Sequence, residues 1–338
     1  MNIALAGGGT AGHIMPNIAL VPELKKQFER IIYFGSVNSM EEHICKNENI
    51  PYYPTETTKF YRREIWKNLT IPSRLRRGVK EAKEVLKKEK VSVVFSKGGY
   101  AALPTVLAAR SLGIPVVCHE SDRSLGLANR ITARFADLLL TAFPIDKSNA
   151  EEMSTPIREK IFHGQRLDLF RNQKPTILFM GGSLGAEAIN EIVSVAFADL
   201  TKRYNVLHIG GKGAVPMKTP SYVSVPFADD IENYFATADL IVSRGGASTL
   251  GELTALGKRV IVVPLPKGNS RGDQVQNAAY YLTKGLVKVL PQSELNEKTL
   301  LAAIENNITT RPPTPAYDRA TPARIAERLY RIASTQRK

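Results

Sequence analysis

The chain opens with a short apolar run and a glycine-rich turn: Asn2-Ile-Ala-Leu-Ala6 is followed by Gly7-Gly-Gly-Thr-Ala-Gly-His13-Ile-Met-Pro16. An apolar run without polar alternation predicts a strand covered on both faces, as in a parallel sheet. Glycines let backbone amides approach a phosphate, and the helix that follows presents its positive end there. Gly7, Gly9 and Gly12 fit G-x-G-x-x-G, but no acidic residue follows the second strand. This turn alone therefore gives little support to a dinucleotide site.

Similar apolar runs alternate with helical patterns along almost the whole chain. The predicted strands of a first series are Asn2–Ala6, Ile31–Gly35, Val91–Ser96, Pro115–His119 and Leu138–Ala142. Those of a second series are Thr176–Met180, Asn205–Ile209, Tyr222–Val225, Leu240–Ser243, Val260–Val263 and Leu286–Val289. Parallel sheets with helical crossovers explain this alternation. The sequence predicts an α/β protein in which two Rossmann-like, doubly wound domains face a central cleft.

The expected boundary between the domains lies in the polar stretch Phe143–Thr155. This gives an N-terminal domain over residues 1–150 and a C-terminal domain over residues 151–316. The proline-rich connection Arg311–Ala316 precedes an amphipathic last helix, residues 317–338, which we expect to pack back on the first domain. A helical stripe of apolar residues also predicts one helix over Ala186–Leu200.

Composition excludes several classes of protein. The 338 residues are 43% hydrophobic, which is too apolar for a disordered chain, and the length favours two cores. Cys45 and Cys118 are too few for a disulfide framework and have no metal-type spacing, as expected in a reducing cytoplasm. No basic leader opens the chain, and no apolar run approaches the roughly 18–20 residues that span a bilayer. We expect a protein that is neither exported nor transmembrane.

The net charge of +14 is unevenly distributed, since the 32 residues from Lys59 to Lys90 hold +8 of it. Cationic and large apolar residues interleave in residues 60–77: Ile65, Trp66, Leu69 and Leu75 beside Arg62, Arg63, Lys67, Arg74, Arg76 and Arg77. This pattern predicts contact with an anionic membrane surface. A solvated helix is the alternative, especially over Val79–Lys90. Because no nucleic-acid-binding motif accompanies the charge, we do not expect a nucleic acid partner.

Glycine turns recur at predicted strand ends in both halves of the chain. They are Gly7–Gly12, Lys97-Gly-Gly-Tyr100, His119-Glu-Ser-Asp-Arg-Ser-Leu-Gly126, Met180-Gly-Gly-Ser-Leu-Gly-Ala186 and Ser243-Arg-Gly-Gly-Ala-Ser-Thr-Leu-Gly-Glu252. Their recurrence predicts that phosphate-bearing groups bind to both domains.

These motifs, in this order, resemble those of the MurG family of GT-B glycosyltransferases (family 28), from Met1 to about Leu290. The motif G-G-G-T-G-G-H-x-x-P resembles Gly7–Pro16 with Ala11 for a glycine, and H-E-Q-N-x-x-x-G resembles His119–Gly126 with Ser121 and Asp122 for Gln-Asn. Further family motifs are G-G-Y, G-x-P-x-R, G-G-S-Q-G-A, G-A-x-T-x-x-E and H-Q-x-x-N-A. They resemble Gly98–Tyr100, Ser154–Arg158, Gly181–Ala186 with Leu184, Gly246–Glu252 and Asp273–Ala278.

The resemblance implies an inverting transfer of N-acetylglucosamine from UDP-N-acetylglucosamine to the muramoyl 4-hydroxyl of lipid I, which gives lipid II in peptidoglycan synthesis. It implies a peripheral enzyme at the cytoplasmic face of the cell membrane, with the lipid acceptor on the N-terminal domain and the donor mainly on the C-terminal one. No cofactor is implied. The donor-binding residues that it implies are Thr10, Ala11, Gly12, Asp122, Arg158, Ser183, Ala228 (beside Phe227), Glu252 for the ribose and Gln274 for the sugar.

Inverting transfer needs a base for the sugar hydroxyl and stabilisation of the departing UDP. His13 directly follows a phosphate loop, and histidine titrates near neutral pH, so it is a candidate for the base. It can equally be a ligand of the acceptor's pyrophosphate; Glu120 and Asp122 are the carboxylate alternatives. Because no Asp-x-Asp motif occurs, we expect no metal site, and helix dipoles with Arg158 would stabilise the leaving group.

Two other hypotheses for the function remain open. A different GT-B enzyme, such as another sugar transferase or a UDP-sugar 2-epimerase, would share the fold; the epimerase would act without a lipid. A membrane-bound nucleotide-sugar sensor would bind without transferring. The departures at Ala11, Ser121, Asp122 and Leu184 are the features that favour such an inactive paralogue.

Overall fold

The computed structural model describes residues 1–57, 65–182, 185–268 and 271–335, with backbone alone for residues 65–67. The chain forms two compact units. The first comprises Met1–Arg158 with Asp318–Lys338, and the second comprises Glu159–Tyr317. The first unit thus extends beyond residue 150, the boundary expected from the sequence, because Ala150–Glu152 adds a strand to its sheet.

Within the described residues, the first unit has a seven-stranded sheet in the order β3-β2-β1-β4-β5-β6-β7. All of its pairings are parallel. The strands are β1 (Asn2–Gly7), β2 (Arg30–Gly35), β3 (Tyr52–Pro54), β4 (Val91–Gly98), β5 (Val116–Glu120), β6 (Leu138–Thr141) and β7 (Ala150–Glu152). The helices are α1 (Ala11–Leu24), α2 (Met40–Asn47), α3 (Ile71–Lys88), α4 (Leu103–Ser111), α5 (Leu127–Thr132) and, from the end of the chain, α12 (Thr321–Thr335). Short 3-10 helices span Ile65–Thr70 and Tyr100–Ala102.

Helices cover both faces of this sheet, which is why its strands are apolar without alternation. On one face α1 packs against α12, and buried side chains such as Ile14 and Leu329 belong to one core cluster. On the other face α3 packs against α4, where Ala82, Leu86 and Val106 are buried together. The last helix therefore belongs to the first unit through its apolar stripe.

The second unit has its own seven-stranded sheet, in the order β10-β11-β9-β8-β12-β13-β14 among the residues that are described. Its strands are β8 (Thr176–Met180), β9 (Asn205–Ile209), β10 (Met217–Thr219), β11 (Tyr222–Val225), β12 (Leu240–Ser243), β13 (Val260–Val262) and β14 (Lys288–Val289). Its helices are α6 (Glu187–Val195), α7 (Phe197–Arg203), α8 (Ile231–Thr237), α9 (Ala247–Ala255), α10 (Asp273–Thr283) and α11 (Glu297–Ile308). Its 3-10 helices are Glu159–His163 and Gln292–Glu294.

The predicted pair of doubly wound α/β sheets is confirmed, with local differences. The short strands β3, β7 and β10 were not predicted, because three residues are too few to show a period. β10 pairs antiparallel with β11, so the second sheet is not wholly parallel. The single helix predicted over Ala186–Leu200 is wrong: the backbone of Ala196 (φ −86°, ψ 10°) separates α6 from α7. Ala196 and Leu200 are both buried, so the apolar stripe continues across the break and hides it.

Candidate functional site

Each sheet has one point at which the direction of winding reverses, between β1 and β4 in the first unit and between β8 and β12 in the second. Loops at the carboxyl ends of the strands leave a crevice at such a point, which is where open α/β sheets bind ligands. Four of the five glycine turns singled out from the sequence follow these same strands, and the fifth follows the neighbouring β5. Each unit therefore carries a candidate binding edge of its own.

In the first unit, the loops after β1 and β4 touch backbone to backbone. Gly9 and Gly99 have positive φ angles of 85° and 78°, which glycine adopts without strain. A β-carbon at Gly99 would lie 2.5 Å from the carbonyl oxygen of Gly8, and one at Gly9 would lie 2.7 Å from the ring of Tyr100. Only glycine fits at either position, so these residues permit the close approach of the two loops.

His13 and three predicted donor ligands lie together at the start of α1. Thr10 is exposed at the N-cap position, and its side-chain Oγ1 lies 2.9 Å from Nδ1 of His13. Ala11 and Gly12 are the first helical residues, where backbone N–H groups point out of the helix. Alanine is a favourable residue at a helical position, so Ala11 keeps the backbone that an anion-binding turn needs.

A buried carboxylate that sequence reasoning missed supports this turn. Glu41, in the first turn of α2, is 1% exposed. It accepts hydrogen bonds from the backbone N–H of Ser36, at 3.1 Å, and of Gly9, at 3.5 Å. Glu41 thereby ties the loops after β1 and β2 to each other. No motif marked it, because its partners are backbone amides that are distant in sequence.

The loop after β5 carries the alternative bases, and the structure gives Glu120 another role. The buried Glu120 carboxylate accepts from the N–H of Asp122 (3.0 Å), the N–H of Gly126 (2.9 Å) and Nδ2 of Asn129 (3.0 Å). These three bonds shape the loop, and they engage both oxygens of the carboxylate that the sequence offered as an alternative base. Asp122 lies on this loop half-buried, and Arg158 is half-buried at the end of the unit.

His119, at the end of β5, is also structural. Its Nε2 bonds to the carbonyl oxygens of Met153 (3.1 Å) and Ser154 (3.3 Å). Burial, together with the Lys97 cation, lowers the pKa of His119 well below its ordinary value. The ring is therefore neutral at pH 7 and donates its Nε2 proton to this backbone. It anchors the segment that leads to Arg158.

In the second unit, the loop after β8 packs against the loop after β9. A β-carbon at Gly185, whose φ is 80°, would lie 2.7 Å from the carbonyl oxygen of Gly210. The same oxygen accepts from Nδ2 of Asn190 at 2.8 Å, and Oδ1 of Asn190 lies 2.9 Å from Nε2 of His208. Burial lowers the pKa of His208 to about 4, so this histidine is neutral too. Ser183 and Leu184 lie outside the described residues.

Gln274 joins two loops of the second unit. Its Oε1 accepts from the N–H of Gly245 at 3.2 Å and from the N–H of Leu265 at 3.0 Å. Nδ2 of the buried Asn277 donates to the carbonyl of Gly245 at 3.2 Å. The predicted sugar contact of Gln274 would accordingly have to use its Nε2 group, because Oε1 already has two partners.

The other predicted residues of this unit lie on neighbouring loops and helices. Glu252 is half-buried in the second turn of α9, which begins directly after the glycines that follow β12. Ala228 is buried just beyond β11 and follows the exposed Phe227. Both therefore lie towards the carboxyl edge of this sheet, as a nucleotide site requires.

Sequence reasoning missed Arg244, a nearly buried cation at the same edge. Its Nη1 donates to the carbonyl of Val263 (3.1 Å) and to Oε1 of Gln292 (2.7 Å). Burial lowers the pKa of its guanidinium. Arg244 stands immediately before Gly245, and its guanidinium lies against Val263 and Gln292. Its position directly before two glycines at a strand end was the available signal.

Ion pairs within the protein engage some of the cations of the basic segment, residues 60–77. Residues 58–64, which include Arg62 and Arg63, and the side chains of residues 65–67 lie outside what is described. Arg74 and Arg77 both pair with Glu56, at 3.0 and 3.1 Å. Leu69 is 82% exposed. In the described part of the chain, no helix is long and apolar enough to cross a membrane. Nor do its His, Cys, Asp and Glu side chains form a cluster able to hold a metal ion.

Comparison with known proteins relates both units to one family. Residues 3–141 match the glycosyltransferase family 28 N-terminal domain, and residues 176–335 match the glycosyltransferase family 28 C-terminal domain. A relative from Clostridium perfringens is 41% identical over 322 residues, which cover 90% of this chain and 89% of the relative. That relative is named UDP-N-acetylglucosamine–N-acetylmuramyl-(pentapeptide) pyrophosphoryl-undecaprenol N-acetylglucosamine transferase.

Solved structures agree with this relation. The crystal structure of MurG from Acinetobacter baumannii is 27% identical, with a TM-score of 0.75, covering 98% of this chain and 99% of that one. A UDP-GlcNAc 2-epimerase from Methanocaldococcus jannaschii has a TM-score of 0.65 at 15% identity, over 97% and 99% of the two chains. The epimerase shares the fold alone. The two domain matches and the 41% identical relative establish that this chain belongs to glycosyltransferase family 28.

Proposed function

We propose that this chain transfers N-acetylglucosamine from UDP-N-acetylglucosamine to lipid I, giving lipid II in peptidoglycan synthesis. The likeness to the Clostridium perfringens transferase carries the proposal, because it extends over 90% of the chain and so includes both units. The geometry supports it. Each unit presents glycine turns at its switch point, as expected for two substrates that both contain a diphosphate.

In this proposal each unit binds a different substrate. The second unit binds the donor: Glu252 accepts hydrogen bonds from the ribose hydroxyls, Ala228 and Ser183 contribute to the UDP site, and Gln274 donates to the sugar. The first unit binds the lipid-linked acceptor and supplies further donor ligands, which by the family resemblance are Thr10, Ala11, Gly12, Asp122 and Arg158. The support is that residues 10–12 begin α1 directly after β1 and that Glu252 lies in α9, which follows β12, at the switch points of the two sheets.

The reaction needs one proton removed and one charge stabilised. His13 takes the proton from the muramoyl 4-hydroxyl as the hydroxyl oxygen forms a bond to C1 of N-acetylglucosamine. The bond from C1 to the UDP oxygen breaks, and UDP leaves as an anion. Helix N-termini and the Arg158 cation lower the energy of that departing charge. The bond between Thr10 and His13 holds the imidazole at the mouth of the first loop.

A transfer assay tests the function directly. Radiolabelled UDP-N-acetylglucosamine is incubated with a water-soluble, short-chain lipid I analogue, and UDP-N-acetylgalactosamine serves as the control donor. We expect label to enter the acceptor from the first donor and much less from the second. Conversion of UDP-N-acetylglucosamine to its 2-epimer without an acceptor would support the epimerase instead. Tight donor binding with no transfer would support a sensor.

We further propose that the first unit contacts an anionic membrane at the cytoplasmic face, as a peripheral protein. Besides Leu69, an apolar stripe supports this: Leu127, Ile131 and Phe135, on and just beyond α5, are 52%, 36% and 36% exposed. The neighbouring arginines Arg123, Arg130 and Arg134 are exposed as well. Because α4 packs against both α3 and α5, this stripe and the basic helix α3 belong to the same side of the sheet. Apolar groups with flanking cations suit a lipid headgroup boundary.

Replacing Leu127 and Ile131 together by serine is expected to lower vesicle binding about tenfold, because two apolar side chains no longer enter the lipid. The loss should persist at high salt, where electrostatic attraction is screened. Sedimentation with anionic vesicles measures it. The control replaces Val195 and Val215 of the second unit, which are 66% and 80% exposed, by serine. Transfer to the soluble acceptor should survive in both variants, and equal sedimentation of all three proteins would refute the membrane contact of α5.

A further inference from the structure

A buried lysine lies beneath the binding edge of the first unit. Lys97, near the end of β4, is 1% exposed, and its Nζ donates to Oγ of Ser121 at 2.5 Å. Its Cβ lies 3.3 Å from where a β-carbon at Gly7 would be. Lys97 therefore lies between the glycine turn after β1 and the loop after β5.

Burying a lysine is costly, so its surroundings must compensate. An ammonium group loses several kcal/mol of hydration in a protein interior, and an unbranched apolar side chain would fill the same space at no such cost. Here burial lowers the pKa of Lys97 to about 8, while the nearby Glu120 and Asp122 carboxylates act in the opposite direction. At pH 7 the side chain thus remains mostly charged, beside two carboxylates of one loop.

The lysine also belongs to a chain of hydrogen bonds. Oγ of Ser121 lies 2.7 Å from Oγ1 of Thr155, which is 8% exposed. Through this contact the ends of β4 and β5 are joined to the segment that ends at Arg158. His119 holds the same segment through Met153 and Ser154. Lys97 is the charged group with which this series of hydrogen bonds begins.

The position of Lys97 also affects the balance of charge at the binding edge of the first unit. Glu120 and Asp122 place two negative charges at the carboxyl edge where, by topology, an anionic ligand is expected. A diphosphate that approaches this edge would be repelled by the carboxylates unless a cation offsets them. Glu120 cannot turn away, since three N–H donors hold it. Lys97 is a cation in the right place to offset them.

We propose that Lys97 is a positioning residue for transfer: its charge offsets Glu120 and Asp122, so that the loop after β5 holds its shape and tolerates the diphosphate of a substrate. Lys97 does not touch the reacting atoms. The inference rests on the proposed function and adds to it a residue that acts through the loop. It also explains how an aspartate is accommodated at position 122.

The test compares Lys97→Met, Lys97→Gln and the charge-retaining variant Lys97→Arg. Steady-state KM and kcat are measured separately for UDP-N-acetylglucosamine and for the soluble lipid I analogue, with Tm for each protein. We expect Lys97→Met to raise the KM for one of the two diphosphate substrates about tenfold. The two KM values tell which diphosphate approaches the loop. Lys97→Gln, which can still donate to Ser121 but has no charge, should raise the same KM similarly.

Lys97→Arg separates charge balance from packing. It keeps the positive charge while the shape of the side chain changes, so both KM values should stay within about threefold of the parent. Lys258→Met is the control, because Lys258 is a partly buried lysine that binds the carbonyl of Ala238 at 3.1 Å at the opposite edge of the second sheet. It should leave both KM values unchanged.

Three outcomes would overturn the inference: unchanged KM values in Lys97→Met, parental behaviour of Lys97→Gln, or a KM in Lys97→Arg as high as that of Lys97→Gln. If Lys97→Met does not fold, Lys97→Gln and Lys97→Arg decide the question. An inactive parent protein would be a different result. It would refute the proposed function, and this inference with it, whereas an active parent with unchanged variants would refute the role of Lys97 alone.

Discussion

Replacing His13 by alanine is expected to lower kcat for sugar transfer by about 10²- to 10⁴-fold, the usual contribution of a general base. The imidazole lies at the start of α1, and Thr10 bonds to its Nδ1 at 2.9 Å, so its orientation is defined before a substrate arrives. Alanine can neither accept the hydroxyl proton nor bind a phosphate. The measurement is steady-state kinetics with the soluble lipid I analogue, and the KM for the donor should change little.

His13→Gln distinguishes the two roles that remain open for this residue. Glutamine can donate and accept hydrogen bonds but does not take up a proton at neutral pH. If His13 is the base, His13→Gln is as inactive as His13→Ala. If it recovers most of the activity, His13 is a ligand of the acceptor's pyrophosphate. Activity of His13→Ala within a few-fold of the parent would show that the residue is structural and that the base lies elsewhere.

The second large effect is expected at Glu252. Its replacement by alanine removes a charged acceptor from the ribose hydroxyls, a loss of about 1.5–3 kcal/mol. This corresponds to a rise of about 10- to 150-fold in the KM for UDP-N-acetylglucosamine. The carboxylate is half-buried in α9, which begins at the switch point of the second sheet. The helical backbone therefore fixes the position of this side chain.

Two comparisons make this result specific. The KM for the lipid I analogue should stay near its parental value, because the acceptor is assigned to the other unit. Glu252→Gln should lose less than Glu252→Ala, since an amide oxygen still accepts a hydrogen bond. Equal donor KM values in the parent and Glu252→Ala would exclude the ribose contact and leave Glu252 with a role in helix stability.

The sequence was sufficient for the regular parts of the fold and for the family. The central strands of both sheets are apolar runs bounded by glycine turns, and their period is visible without a structure. Motif order related the chain to family 28, and the domain matches confirm this. Such features are local: each depends on residues within a few positions of one another.

Tertiary structure alone decided which polar side chains have partners. Glu120 was a candidate base in the sequence, yet Asp122, Gly126 and Asn129 supply three donors that commit it to shaping its loop. Glu41 was inconspicuous in the sequence, yet it joins two loops by binding backbone amides. Whether a carboxylate is a reagent or a support depends on donors that no pattern in the sequence marks.

Lys97 shows most clearly which features the local sequence determines and which depend on the tertiary structure. From the sequence, Lys97 is one more cation in a basic chain, placed before two glycines at a predicted strand end. In the folded protein it is buried, and its ammonium group is held by Ser121, 24 residues away. Local sequence determined the strand and the turn through backbone preferences and burial of apolar runs. Only the folded structure brought the charges together, because the parallel pairing of β4 with β5 places their carboxyl ends side by side.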